Sequence, residues 1–232
     1  MIKVNRMFEH FEYAYLVGNL FFAFIWIALF VSRKDLRRKI LIMSSVVAPL
    51  ALTQLFFVRD YWRPEYFHGS GVVGVEDFVF SFLIGGIGGG IYEEIFGKKY
   101  VSRHLERHPH WMFIVAVVGM LWMIIGNIIL QLNSMSVTIA GLLLIGATIL
   151  ISRHDLVKDA IFSGLLTGSL MVGFYILWTN LFPGVVQQWW LLNNLSGIII
   201  LGAPLEEIMF GFGWGFLAGP TYEFIHGLKF RK

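Results

Sequence analysis

Glu76-Asp77-Phe78-Val79-Phe80-Ser81-Phe82 returns 130 positions later as Glu206-Glu207-Ile208-Met209-Phe210-Gly211-Phe212, each acidic pair heading an apolar run. In that register Glu76/Glu206, Phe80/Phe210, Phe82/Phe212, Gly85/Gly215, Gly89/Gly219, Tyr92/Tyr222, Glu93/Glu223 and Ile95/Ile225 coincide. The repetition predicts two matched halves. Carboxyl groups beside a lipid-length helix are costly to bury, so a duplicated pair points to function.

Working outward from the repeat, 57% of the residues are hydrophobic, 14% are charged, and the mean hydropathy is +0.71. That composition predicts a multi-span membrane protein. Seven apolar stretches, 13–32, 40–58, 73–96, 111–131, 135–152, 159–182 and 198–225, approach the ~20 residues that cross a hydrocarbon layer of about 30 Å. Long runs without alternation favour helices, which satisfy their own backbone groups in lipid. The predicted class is therefore all-α: one polytopic membrane domain over 1–232, with a first repeat at 1–96 and a second at 135–232. A connector, 97–134, carries the fourth helix.

Charge placement orients the chain. Arg33, Lys34, Arg37, Arg38 and Lys39 follow the first stretch, and Lys98, Lys99, Arg103 and Arg107 the third. Arg153 and Lys158 follow the fifth, and Lys229, Arg231 and Lys232 end the chain, so fourteen of the eighteen basic residues fall on one side. Because cytoplasmic loops retain Lys and Arg, the N-terminus is expected outside and the C-terminus in the cytoplasm, across the plasma (cytoplasmic) membrane. Helices one to three and five to seven then run in the same sense, as parallel repeats, with both acidic pairs at the outer ends. The net charge of +3 is expected to meet lipid headgroups, not nucleic acid. Cysteine is absent, which removes disulfide and thiol chemistry. Met1 to Tyr15 lacks a small-residue cleavage site and reads as retained.

Pro204 suits the first turn of a helix. The last helix therefore either starts at Pro204, with Glu206 and Glu207 in its first turn, or begins nearer Ser196 and kinks at Pro204. Gly74 occupies the equivalent place before Glu76 and Asp77. Adjacent helical residues point about 100° apart. Asp77 shares a stripe with Ser81, Gly85 and Gly88, and Glu207 one with Gly211, Gly215 and Ala218; small residues there admit a close neighbour. Glu76 and Glu206 sit above Phe80 and Phe210. Both pairs are expected to turn toward the bundle interior, over an aromatic floor. Paired carboxyls in a poorly hydrated pocket tend to hold a proton between them, whereas a helix N-terminus favours the ionised form. A neutral acid could protonate an electron-rich substrate, and its carboxylate partner could stabilise a cation or take a proton back.

Other features take blander readings. Tyr92-Glu93 and Tyr222-Glu223 lie about 24 Å further along a straight helix and read as structural groups at the opposite membrane face. His104, His108 and His110 read as a solvated basic loop, without metal. The Gly85-to-Gly90 cluster reads as helix packing, not a dinucleotide loop. Trp62, Trp189 and Trp190 suit the membrane belt, and they also suit the wall of a pocket for an apolar or cationic group, Trp62 and Trp190 being the ones named for substrate binding. Gln54 and Asn180, in comparable contexts, are candidate hydrogen-bond supports for the acids of the following helix.

These residues resemble the membrane-integral, flavin-independent lycopene cyclase domain family, whose repeats carry a Pro-x-Glu-Glu/Asp motif heading an aromatic-rich helix. Pro204-Leu205-Glu206-Glu207 matches it, Gly74-Val75-Glu76-Asp77 keeps both acids without the proline, and Glu12-Tyr13-Ala14-Tyr15-Leu16 is similar to the family's opening. The resemblance implies an intramolecular lyase or isomerase that cyclises a linear carotenoid without redox change or cofactor: protonation of a terminal double bond, ring closure through a carbocation, then proton loss. Glu206 and Glu207 would be acid or cation stabiliser and Glu76 and Asp77 their counterparts, with Phe80, Phe210 and Trp214 as cavity walls. Gln54 and Asn180 stand where the family resemblance leads one to expect an acid. The competing reading is a membrane binding or proton-coupled transport protein using the same acids. A retinal-type photoreceptor is disfavoured because no lysine falls inside a predicted span. Membrane lipid is the expected surrounding partner, and homo-oligomerisation is left open.

Overall fold

The computed structural model describes residues 11–67, 71–101 and 105–231. They are overwhelmingly helical: α1 (Ala14–Ser32), α2 (Arg37–Val47), α3 (Gln54–Asp60), α4 (Val75–Ile95), α5 (Trp111–Met123), α6 (Ser134–Ser152), α7 (Val157–Leu181), the short α8 (Val185–Trp189) and α9 (Leu205–His226). Pro49 lies where α2 tightens into a 3₁₀ segment, Ala48–Thr53, before α3 continues the rod to Asp60. α5 widens into a π-helical turn at Ile124–Ile129. Short two-residue strands complete the fold: β1 (Tyr100–Val101) pairs with β4 (Lys229–Phe230), and β2 (Ile199–Ile200) with β3 (Ala203–Pro204), both antiparallel.

Among the described residues, six helical segments are long and apolar enough to cross a membrane: Phe11–Ser32, Arg37–Asp60, Val75–Ile95, Trp111–Ile129, Ser134–Ser152 and His154–Leu181. The start of the seventh predicted span, 198–225, is corrected. Its first residues form the β2–β3 hairpin, whose turn residues Leu201 and Gly202 both take positive φ, 51° and 89°; that conformation suits a tight hairpin. Pro204 is the residue before α9, so the helix starts there and is not kinked from Ser196. The 22-residue α9 has the length of a span, but its glycines, Pro220 and three glutamates dilute its apolarity.

α4 and α9 form the centre. α4 packs on α1 and α2, α9 on α6 and α7, and the two touch each other. The glycines allow this closeness. A Cβ on Gly85 would strike Met43 and Val47 of α2, and one on Gly88 would strike the Trp214 ring. Trp214 thereby enters between the helices and donates Nε1–H to the Ile84 carbonyl at 2.9 Å. The predicted helix-packing role of the glycine cluster is what the structure displays. α5, by contrast, packs chiefly on α6 and leaves Phe113, Leu121 and Val118 exposed.

At one end of the bundle two arginine clasps repeat. Arg33 pairs with Asp35 (2.8 and 2.9 Å) and donates to the carbonyls of Glu93 (2.6 Å) and Lys98 (2.8 Å). Arg153 pairs with Asp155 (2.8 and 2.9 Å) and donates to the carbonyls of Leu228 (2.6 Å) and Glu223 (3.5 Å). Each clasp supplies a donor to one carbonyl in the last turn of a helix, where carbonyls have no intrahelical partner, and another to a carbonyl in the segment just after it.

The tightest helix contact yields a stability prediction. A Cβ on Gly215 would press on the Ser163 carbonyl of α7, whereas one on Gly173 would meet nothing within 4 Å. Gly215→Ala is therefore expected to destabilise the bundle by about 1–3 kcal/mol through overpacking. Gly173→Ala is expected to be neutral or stabilising by up to about 1 kcal/mol, from helix propensity. Thermal unfolding in detergent compares them, and equal shifts would contradict the packing described.

Candidate active site

The two acidic pairs are set at the same end of neighbouring helices, and within each pair the two acids part company. Asp77 and Glu207 line one shared cavity of about 310 Å³ inside the bundle; Glu76 and Glu206 are not among its lining residues. Glu76 Oε1 accepts the Phe67 N–H at 2.8 Å, and Glu206 Oε1 accepts the Ser196 N–H at 2.7 Å. The first acid of each pair thus ties down the incoming loop. This corrects the expectation that both members face the interior, and its cause is the rotation of about 100° between adjacent helical residues.

Asp77 is held by three donors. Tyr15 Oη lies 2.8 Å from Oδ1, while Tyr66 Oη (2.7 Å) and the Gly74 N–H (2.8 Å) reach Oδ2. The last bond closes a capping arrangement at the start of α4, so Asp77 serves both the helix and the cavity. Asn19 fixes the same turn by donating to the Glu76 carbonyl at 3.0 Å. Glu207 is partly exposed. Its Oε1 accepts from Tyr61 Oη at 2.6 Å and from Trp190 Nε1 at 3.1 Å. Burial pushes the Tyr61 hydroxyl well above its ordinary pKa, with the neighbouring Glu207 adding to it. Burial and Asp77 do the same to Tyr66. Both phenols therefore remain donors.

Phe80, Phe210, Trp214, Trp62 and Trp190, named from the sequence as wall residues, all line the cavity. Trp62 and Trp190 also form an isolated β-bridge, their rings 5.2 Å apart, and Tyr15 lies edge-on to Trp62 at 5.3 Å. Gln54 lines the cavity too, but it accepts from Trp62 Nε1 at 2.7 Å instead of supporting an acid. Asn180 is misplaced by the sequence reading: it is exposed and donates to the Ile176 carbonyl of its own helix at 2.6 Å. Tyr175 and Trp178 take the inward face of α7, and Asn180, two positions past Trp178, is turned away from it. The tyrosine donors Tyr15, Tyr61 and Tyr66 were missed, because each reaches its acid from a different element.

The opposite end needs a larger correction. Glu93 and Glu223 are wholly buried within the protein, and Lys39 lies between them at 1% exposure. Lys39 Nζ donates to Glu93 and, at 2.7 Å, to Glu223. A lysine assigned to a cytoplasmic loop is thus inside the bundle. Of the histidines, His108 stacks on Phe224 with ring centroids 4.1 Å apart, while His104 and residues 1–10 of the N-terminal segment lie outside the described residues.

Six long apolar helices and carboxyl groups facing an apolar chamber define a multi-pass membrane protein with an acid-bearing interior. Its sequence places it further. The family described as lycopene cyclase matches residues 12–95 and 133–225, more than half of the chain, and the protein belongs to that family of carotenoid cyclases. The unmatched stretch between the two segments carries α5. No curated protein and no solved structure matches the chain.

Proposed function

We propose that the protein cyclises an end group of a linear, lycopene-type carotenoid by acid catalysis without redox change, with Glu207 as the proton donor and Asp77 as the fixed counter-charge. The observation that carries this reading is that Asp77 and Glu207, one from each half, border the same apolar cavity. Protonated Glu207 gives its proton to the terminal carbon–carbon double bond, leaving a tertiary carbocation. The π electrons of a neighbouring double bond close the ring and move the positive charge into it. The Glu207 carboxylate then removes a ring proton, restoring both the acid and a double bond, so that substrate and product are isomers. Asp77 suits the counter-ion role because three donors hold its two oxygens in place, so its charge is preorganised where positive charge develops. The aromatic faces of Trp62, Trp190 and Trp214 suit the same cation.

The membrane arrangement is part of the proposal. The basic clasps at Arg33 and Arg153 support placing that end in the cytoplasm, with the N-terminus and both acidic pairs at the outer face of the plasma membrane. The equivalent packing of α4 on α1 and α2, and of α9 on α6 and α7, supports two parallel repeats, 1–96 and 135–232, joined through α5, with α9 as the seventh span. Met112, Met120 and Met123 of the peripheral α5 complete one cavity wall. A long polyene then reaches the acids from the bilayer, with its unreacted part left toward lipid.

Expression in a lycopene-accumulating bacterium tests the reading: cyclic pigments are expected, and unchanged lycopene at good expression removes it. Tyr61 is a positioning residue. Tyr61→Phe is expected to lower kcat roughly tenfold with little change in KM, since its hydrogen bond strengthens as Glu207 gives up its proton and becomes charged, where such a bond is worth about 1.5–3 kcal/mol. Steady-state kinetics on membranes separates that outcome from a general loss of folded protein.

A further inference from the structure

Cyclisation leaves the charged cluster at the clasp end unused. Glu93 of α4, Asp159 of α7 and Glu223 of α9 bring one oxygen each within 4.8 Å of one another, and their exposures are 0%, 1% and 0%. Part of each group is occupied. Lys39 donates to one oxygen of Glu93 and one of Glu223, and its third hydrogen bond goes to the Gly219 carbonyl at 3.3 Å. Tyr100 Oη lies 2.8 Å from the same Glu93 oxygen and 2.5 Å from the same Glu223 oxygen. A phenol facing two carboxylate oxygens acts as a donor to them. Ser163 Oγ lies 3.1 Å from Asp159 Oδ1.

Three oxygens are left over. Glu93 Oε2, Glu223 Oε2 and Asp159 Oδ2 are buried and have no hydrogen-bond partner among the described residues. Lys39 has three protons and three acceptors, so its donors are already committed. Three carboxylates against one ammonium leave two negative charges in a water-poor interior, which is strongly unfavourable without compensation. The donor set is entirely hard oxygen, the kind that takes calcium, magnesium or manganese in preference to softer metals.

We propose that Glu93, Asp159 and Glu223 bind one divalent cation of this hard, oxygen-seeking class through their unpaired oxygens. The ion neutralises the residual charge and joins α4 to α7 and α9, opposite the acid-bearing cavity. The site needs no contact with substrate. Two protons would supply the same charge, and the experiment separates the two sources.

Full-length protein in detergent is stripped with chelator and titrated with Mn²⁺, Ca²⁺ and Mg²⁺, following bound Mn²⁺ by electron paramagnetic resonance and stability by thermal unfolding. One tightly held ion per chain is expected. At a hundredfold excess over Kd the Tm should rise by roughly 5–10 °C. Asp159→Asn should weaken Mn²⁺ binding at least tenfold, while Lys39→Met, which removes the competing ammonium, should tighten it. Failure to bind any of the three ions at millimolar concentration, together with Asp159→Asn as stable as wild type in chelator, would overturn the proposal in favour of protons. If Asp159→Asn does not accumulate, the ion count on the wild-type chain decides alone. None of these readouts depends on cyclase activity.

Discussion

Glu207→Gln should leave lycopene essentially uncyclised while the protein still accumulates in the membrane. Glutamine keeps the size of the side chain and can still accept from Tyr61 and Trp190, which lie 2.6 and 3.1 Å from Glu207 Oε1. What it lacks is a transferable proton. Removing a general acid costs about 10²–10⁴-fold, and no other carboxyl group from the second half borders the cavity. The comparison with Glu206→Gln makes the test sharp. Glu206 uses Oε1 to hold the Ser196 N–H, so its amide should reduce turnover only about tenfold or less, by loosening the loop. Asp77→Asn should fall between them. Pigment analysis at matched expression reads all three; wild-type conversion by Glu207→Gln would remove Glu207 from the chemistry.

Lys39→Met should be among the most destabilising substitutions outside that cavity. Its ammonium is 1% exposed and lies between carboxyl groups that are 0% exposed. Deleting one partner of a buried ion pair leaves uncompensated charge and typically costs about 3–5 kcal/mol. The methionine fills most of the same space, so the loss measures charge more than packing. In chelator, thermal unfolding should show a large drop in Tm. Adding Glu223→Gln should restore part of it by removing one orphaned negative charge. A single variant as stable as wild type would mean that the cluster contributes nothing to holding α2, α4 and α9 together.

Much of this fold was legible because lipid demands long apolar helices, and composition displays them directly. The acidic pairs were legible for the same reason: carboxyl groups at the head of an apolar run stand out. The hairpin before α9 was not, since Ile198-Ile199-Ile200-Leu201 reads as continuous helix until the positive φ angles of Gly197, Leu201 and Gly202 interrupt it. Nor was the fate of Lys39, hidden among the basic residues Arg37, Arg38 and Lys39. A signal did exist. Ser32-Arg33-Lys34-Asp35-Leu36 returns as Ser152-Arg153-His154-Asp155-Leu156, offset by 120 instead of 130 positions, and that register places Lys39 opposite Asp159. The offsets differ because the second half spends extra residues on α8 and the hairpin. The acids' phenolic partners were illegible for a different reason: a contact between Tyr61 and Glu207, 146 positions apart, is created only by the tertiary fold.

If the proposed chemistry takes place in the chamber that Asp77 and Glu207 share, that single chamber sets the order of events for any molecule with two reactive tips. Such a molecule cannot be worked on from both sides at once. After the first closure it must back out, turn end for end in the bilayer and thread in again. Early in a reaction, then, the half-finished, one-ringed species should outnumber the two-ringed one, and the ratio should depend on how readily the molecule reverses.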